Sequence, residues 1–443
     1  MLGAAMGLAG ALALRPGAAA ARRGAEHRLV VTAFGAVGDG VSDDTAALRA
    51  AVAALAALPA RPRSLVFPAG RTFRIATPGA HGLHLRQLSG VRIVFEPGAR
   101  LLMDNLRHGL ATGHGIFVEG PCADVEIAGA HVAYARISAA RQGWAPFYVL
   151  GAQVGRGDAQ GWFRGRRNAE DAAAIARGAC RDIRLLDCRA ENSPSVMAGL
   201  VGVDGSLVRG FRGRRSWADG LYHVFVRGAV VTDAVLEEVG DDGVSLASYE
   251  SGGAMADIEA PFHAEGSRVS GVTVRGQYPA FGVQPSAGVA LLGVRDVEVT
   301  GVRVADHHTA LRFETGRSTG RGGNTEAPAL NLSFLGCRRI RVRDLAASGV
   351  AQGLKWVNKE VSLSAEPKWW RHEEVSITGV RLEAAPGVPA AASSAFDVAG
   401  IYGGDAVLAG TRLTDVSALG FRNPHATLGP LLGCGIEDVA LDS

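Results

Sequence analysis

The chain has 443 residues, 47% hydrophobic and 20% charged, with a formal net charge of +3. That is globular composition with material for a large core. So weak a net charge gives no ground for nucleic acid as the main partner. No stretch beyond the N-terminus is long and charge-free enough to span a membrane.

Residues 1–24 read "MLGAAMGLAGALALRPGAAAARRG". The apolar run over 2–14 has the length of a signal h-region, and residues 18–21 are small enough for cleavage, although a basic n-region is missing. We read 1–24 as an export signal or a disordered tail, which places the protein in a secreted or periplasmic setting. The five cysteines (Cys122, Cys180, Cys188, Cys337, Cys434) are few and odd in number. Cys180 and Cys188 could pair in an exported chain; burial as small hydrophobes is the preferred reading. No Cys/His spacing suits a metal, so neither a metal nor another cofactor is expected.

"GDGVSDD" (38–44) leads into "TAALRAAVAALAALPA" (45–60). Leu48, Val52, Leu55 and Leu58 fall at helical spacing. Asp43 or Asp44 stands at the N-cap position, where a carboxylate satisfies free N–H groups, and Pro59 stops the helix. "SLVFPAGRTFRI" (64–75) returns to strand character.

From about residue 90 short β-like runs recur: "VRIVFEPGARLLM", "ADVEIAGAHVAYA", "RDIRLLDCRAEN", "GAVVTDAVLEEVG", "RDVEVTGVRVADH", "EEVSITGVRLEA". Ile183, Leu207 and Val230 follow one another at 24 and 23 residues, and Val272 and Val297 are 25 apart. The 60 glycines follow no collagen-like period and read as turns repeated many times. A period in the low twenties with two or three strands per period predicts a parallel β-solenoid, whose coils bury their apolar faces only by stacking. A leucine-rich horseshoe has a similar period, but its Leu/Asn consensus is absent and β-branched residues dominate. An amphipathic helix ahead of the coils can cover the open end, where strand groups lack partners.

"FGAVGDGVSDDTAALRAAVAA" (34–54) followed by "FPAG" (67–70) resembles the opening segment of the pectate-lyase-like superfamily of right-handed parallel β-helices. The resemblance implies an all-β, right-handed parallel β-helix with an N-terminal capping α-helix, in one domain over 29–443 with 29–75 as its cap segment. The central stretch is similar to polygalacturonases, glycoside hydrolase family 28. "WAD" (217–219) stands where that family has Asn-Thr-Asp, so only Asp219 carries over, and "GDD" (240–242) matches the next motif in full. "WADG" with "GDDG" also resembles bacterial dextranases and α-1,3-glucanases. "SAGVALLG" (286–293) lacks the histidine of the third motif, and "ALRFET" (310–315) keeps Arg312 but has Glu314 where lysine would stand. Those two motifs help hold a galacturonate carboxylate, so a pectin substrate is not implied by the motifs that remain.

Asp219 and the Asp241-Asp242 pair lie about one coil apart, and coils stack about 4.8 Å apart. A tight carboxylate cluster cannot ionise fully, so one pKa rises and leaves an acid beside a base, as glycosidic cleavage requires. The resemblance makes Asp241 the proton donor, with Asp219 and Asp242 activating water, and implies inversion; a one-coil separation alone is closer to the spacing of retaining enzymes. Asp before Gly is also ordinary turn chemistry. Trp217, His223, Tyr249, Arg215 and Arg312 are candidate substrate-binding residues. Arg212 and Arg214 could join Arg215 in reading an acidic sugar. His263, His307 and His308 are candidates for the missing histidine, and Trp369-Trp370 for sugar contact. The expected function is an exported, polygalacturonase-like glycoside hydrolase acting on a polysaccharide. The alternatives are a Ca²⁺-dependent polyuronate lyase, in which the same carboxylates hold the ion, and a non-catalytic glycan-binding solenoid.

Overall fold

The computed structural model describes residues 27–58, 62–151, 180–247, 250–251, 265–278, 286–319, 331–334, 336–359, 372–399, 408–423 and 435–442. Most of these residues lie in strands, and nearly all of those strands pair in parallel with one a turn of chain later, Glu250–Ser251 and Asn331–Phe334 being antiparallel exceptions. Three ladders result. The first runs through His27–Val30, Arg63–Phe67, Val91–Phe95, Ala123–Ala128 and Cys180–Leu186 into the C-terminal halves of Ala198–Arg209 and Leu221–Thr232. The second includes Arg100–Met103, His131–Tyr134, Arg189–Ser193, Arg212–Ser216 and Val235–Val239. The third runs through Leu83–Arg86, Ile116–Glu119, Phe147–Leu150, the N-terminal halves of the same two long strands, Val244–Ala247, Ala287–Leu292, Thr309–Thr319 and Gln352–Lys359. This is a parallel β-helix.

Period-two alternation sends every second side chain inward, and the register stacks like on like. Leu221, Val244, Val289, Leu311 and Leu354 form one fully buried column. Each such side chain contributes about 1.5–3 kcal/mol. The true repeat differs slightly from the sequence reading. Ile183 pairs with Ser206, not Leu207, while Leu207 does pair with Val230. Val272 and Val297 belong to different ladders, because Arg303 N–H bonds the Val272 carbonyl and Glu298 N–H bonds that of Ser267. Apolar residues stand at the ends of two successive strands in each coil, so a one-dimensional pattern confuses them.

Helix α1 (Thr45–Ala57) buries Leu48, Ala51 and Leu55 in the same core as the first coils. The Arg63 guanidinium donates to the carbonyls of Leu55, Ala56 and Leu58, which satisfies the helix C-terminus. Asp44 is the N-cap residue, but its side chain does not cap; it accepts from Val37, Gly38 and Arg74 N–H groups. The Asp43 carboxylate takes the Thr45 N–H at 3.1 Å instead. Cys122, Cys180, Cys188 and Cys337 are free and buried, so Cys180 and Cys188 are not paired. Cys434 lies outside the described residues.

At the corner between the first and second ladders, Asp187, Asp233, Asp344 and Asp415 adopt φ of 54°, 55°, 55° and 51°. Gly210, Gly271, Gly301 and Gly379 fill the intervening levels. A Cβ on Gly210 would lie 2.2 Å from Asp187 Oδ1, so an aspartate at one level demands glycine at the next. Left-handed aspartates also stand elsewhere, Asp124, Asp182, Asp296 and Asp306 among them.

Candidate active site

The carboxylates stand at a different corner, between the second and third ladders. The register that pairs Ala198 with Leu221, and Leu221 with Val244, carries Val196, Asp219 and Asp242 into one column. Asp241 precedes Asp242 at the upper level. None of the three aspartates has a positive φ. Asp219 and Asp242 are buried, 6% and 5% exposed, while the Asp241 side chain keeps 27% of its surface open.

Each carboxyl has a defined partner set. Ser245 Oγ donates to Asp219 Oδ2 at 2.5 Å. Ala287 N–H donates to Asp242 Oδ1 at 2.7 Å, and Arg312 Nη2 reaches both Asp242 oxygens at 2.8 and 3.1 Å. Arg312 Nε also lies 3.4 Å from Glu314 Oε2, and both side chains are nearly enclosed. On the open side Arg141 Nη1 stands 3.8 Å from Asp241 Oδ2. Beneath Asp219 the column continues as Val196 and Ala145, in a small apolar cluster with Ala218 and half-buried Tyr148 and Tyr222.

These surroundings set the protonation. Burial, then Asp241 and Asp242, push the Asp219 carboxyl well above the carboxylate range. Burial raises Asp242 to about 7; Arg312 opposes that rise and Asp241 adds to it. Burial works to lower the Arg312 pKa, but Asp242, Glu314, Asp241 and Asp219 outweigh it and raise it, so the guanidinium stays charged. The corner thus holds a buried carboxyl pair with raised pKa values, an open carboxyl group beside it, and a cation fixed behind.

The expected triad is brought together. Several other expectations need correction. Arg312 is not free for a substrate carboxylate, because Asp242 and Glu314 occupy it. His223 points into the coil in the Leu200–His223–Leu246 column, fully buried, and burial lowers its pKa to about 4; a ligand outside the helix does not reach it. The two-residue period places it inward, where sequence proximity to Asp219 had suggested contact. Arg215 is held by Glu238 at 2.8 Å and lies over the Tyr278 ring; Arg214 shares Glu238 at 3.2 Å, and Arg212 bonds the Asp233 carbonyl. These three guanidinia sit on the outer side of the second ladder. Trp217 does reach the corner, but its Nε1 donates to the Ser138 carbonyl at 2.7 Å and anchors the 135–146 loop. Tyr249, His263, Trp369 and Trp370 lie outside the described residues. Of the remaining histidines, His307 is buried against the Ser286 and Asp241 backbones, and burial followed by His308 lowers its pKa to about 3. His308 faces Thr309 and Lys355.

Arg141 and Ser245 were missed. Arg141 comes from a loop three coils' worth of chain earlier, with nothing local to mark it. Ser245 had a legible signal: it lies three residues beyond Asp242, on the strand that pairs above the one Asp219 leads into. Among the described residues no group of three or more His, Cys, Asp or Glu is placed to hold a metal ion.

No family model matches this chain, and no curated protein matches it. Solved structures do. A hyperthermoactive exopolygalacturonase from Thermotoga maritima superposes with a TM-score of 0.58 at 15% identity, covering 94% of this chain and 92% of that one. A family 28 exopolygalacturonase from Yersinia enterocolitica gives 0.54 at 11%, covering 95% and 78%. The tailspike protein of E. coli bacteriophage HK620, in complex with a pentasaccharide, gives 0.52 at 12%, covering 94% and 65%. At these identities the shared property is the fold, the parallel β-helix.

Proposed function

We propose that the protein is a glycoside hydrolase acting on a polysaccharide, with Asp219, Asp241 and Asp242 as its acid/base unit. The observation that carries this reading is the cluster itself: two buried carboxyls with raised pKa values beside one open carboxyl group. Carboxyls in such contact share protons as one unit. Asp241, the open member, passes a proton to the glycosidic oxygen as the C–O bond breaks. The carboxylate left within the Asp219/Asp242 pair takes a proton from the attacking water, so the proton count of the site is restored. Inversion belongs to this proposal.

The exopolygalacturonase and tailspike neighbours support a glycan substrate through fold alone. The charged state of Arg312 argues against β-elimination at this corner, since that reaction needs a base and this guanidinium is held protonated. Two further points belong to the same proposal: α1 covers the open end of the first coil, and the enzyme works outside the cytoplasm. The test is a screen of plant, bacterial and fungal polysaccharides with reducing-end detection. Turnover that Asp241→Asn abolishes supports the reading. Turnover unaffected by Asp241→Asn, or an unsaturated product, overturns it.

A further inference from the structure

A concave surface lies away from the carboxylates, on the outer side of the second ladder in the C-terminal half. It is a groove of about 470 Å³ whose lining includes Arg275, Arg303, Arg381 and Glu383. The register Thr273–Arg303–Ala346–Arg381–Ser417 crosses five successive levels. At the coil spacing this makes the groove roughly 20 Å long. Ala305, Ala346, Ser348 and Ser417 give it a floor of small side chains. Arg381 holds Asp415 at 2.9 Å, with both side chains more than half exposed. Surface pairs of this kind are weak and readily exchanged. Arg275 and Arg303 make no side-chain hydrogen bond or ion pair among the described residues. Many other arginines on the outer faces do pair across coils, Arg184 with Glu126, Arg295 with Glu265 and Arg339 with Asp296 among them.

We propose that this groove binds a linear acidic polysaccharide, as an accessory site separate from the carboxylate corner. Arg303 and Arg381 stand two levels apart, which suits carboxylates carried at intervals along a sugar chain. Thr273, Ser348, Ser417 and Glu383 supply hydrogen-bond partners for hydroxyls between those charges. A nucleic acid fits less well. Its phosphates are dense and would be repelled by Glu383, and no aromatic side chain lines the groove to stack a base. The site would raise the local concentration of an acidic polymer at the enzyme surface by adding a second contact to the first.

The experiment is native electrophoresis of the full chain through gels containing polygalacturonate, alginate or neutral dextran, run in the Asp241→Asn background so that nothing is digested. Retardation is expected in both acidic gels and absent in dextran. The double variant Arg275→Glu/Arg303→Glu should weaken binding about tenfold, the effect of one or more lost charge-assisted contacts. Circular dichroism checks its fold, and Arg275→Gln/Arg303→Gln gives a milder second reading in the same direction. No retardation in either acidic gel overturns the proposal, as does retardation unchanged in both double variants. Tighter binding to single-stranded DNA than to either acidic glycan, lost in the same variants, would replace glycan by nucleic acid. Whether the corner hydrolyses anything is read separately, by reducing ends, so the two ideas fail independently.

Discussion

Replacing Asp219 by Asn separates a corner strained for chemistry from one built for turn stability. Burial raises the Asp242 carboxyl to about 7 in the folded protein, against about 3.9 for an unperturbed aspartate. Between those pH values the folded chain holds a proton that the unfolded chain has released. Unfolding therefore releases a proton, and the unfolding free energy falls as pH rises through this window. About three pH units at 1.36 kcal/mol each put the loss from Asp242 at about 4 kcal/mol by pH 8. Asp219 is raised by burial and by its two neighbours, so it adds in the same direction. Asparagine keeps the shape and an acceptor for Ser245 Oγ, but has no charge to bury and repels neither neighbour. Asp219→Asn should therefore be more stable than the wild type at pH 8 by about 1–3 kcal/mol. The difference should be nearly gone by pH 4, where the folded carboxyls are protonated and the unfolded ones about half so. Urea midpoints at pH 4, 6 and 8 measure it. A variant less stable than the wild type at pH 8, or a difference independent of pH, refutes the reasoning and returns Asp219 to the role of a turn carboxylate.

Once a substrate is in hand, Asp241→Asn should lower kcat by about 10²–10⁴-fold, without a lower urea midpoint at pH 8, because that side chain is partly open and its loss relieves repulsion on Asp219 and Asp242. Arg312→Met leaves Asp242 and Glu314 enclosed without their cation and should cost about 3–5 kcal/mol at pH 8; the cost should shrink at pH 5, where Asp242 is protonated, and a pH-independent cost would count against the ion pair as its cause. Trp217→Phe orphans the Ser138 carbonyl at a cost of about 1–2 kcal/mol; amide exchange across 135–146 should quicken, and unchanged exchange would mean the loop that carries Arg141 is anchored by other contacts.

The coil architecture was legible because stacking is a local demand repeated many times. Each coil needs inward β-branched or aliphatic residues and a turn residue at each corner, and those demands recur in the chain at nearly constant intervals. The exact register was harder to read. Ile183 and Leu207 are both apolar and nearly one period apart, yet they sit one step out of line. The carboxylates were legible for the same reason as the coils, since their offset is the coil offset. What surrounds them was not. Arg141 and Ser138 arrive by a loop, and Arg312 arrives from two coils above, so their meeting depends on closure in three dimensions. His223 shows the opposite failure. It is near Asp219 in sequence, but a two-residue alternation decides between outside and inside, and it falls inside.

The column that holds the carboxylates argues most directly about what the corner is for. Followed toward the N-terminus, the same register position holds Ala145, His114 and His81. His81 Nδ1 accepts the His114 N–H at 3.0 Å, and His114 Nδ1 accepts the Ala145 N–H at 3.0 Å. Asp242 Oδ1 does the same for Ala287 one level up. A side-chain acceptor at this position is therefore a structural device of the fold, and a neutral imidazole performs it well: burial, with His84 nearby, lowers His81 to about 4, and burial holds His114 well below the usual histidine range. Bonding the next N–H does not require a charge. Nor does it require a second carboxyl directly beneath, a third beside it, or a buried guanidinium to hold them. Where structure alone is served, the column uses His81 and His114. At Asp219 and Asp242 it uses groups whose burial costs stability at neutral pH. That excess is the physical reason to assign the corner a proton-transfer role, and the pH-dependent gain from Asp219→Asn is its direct measure.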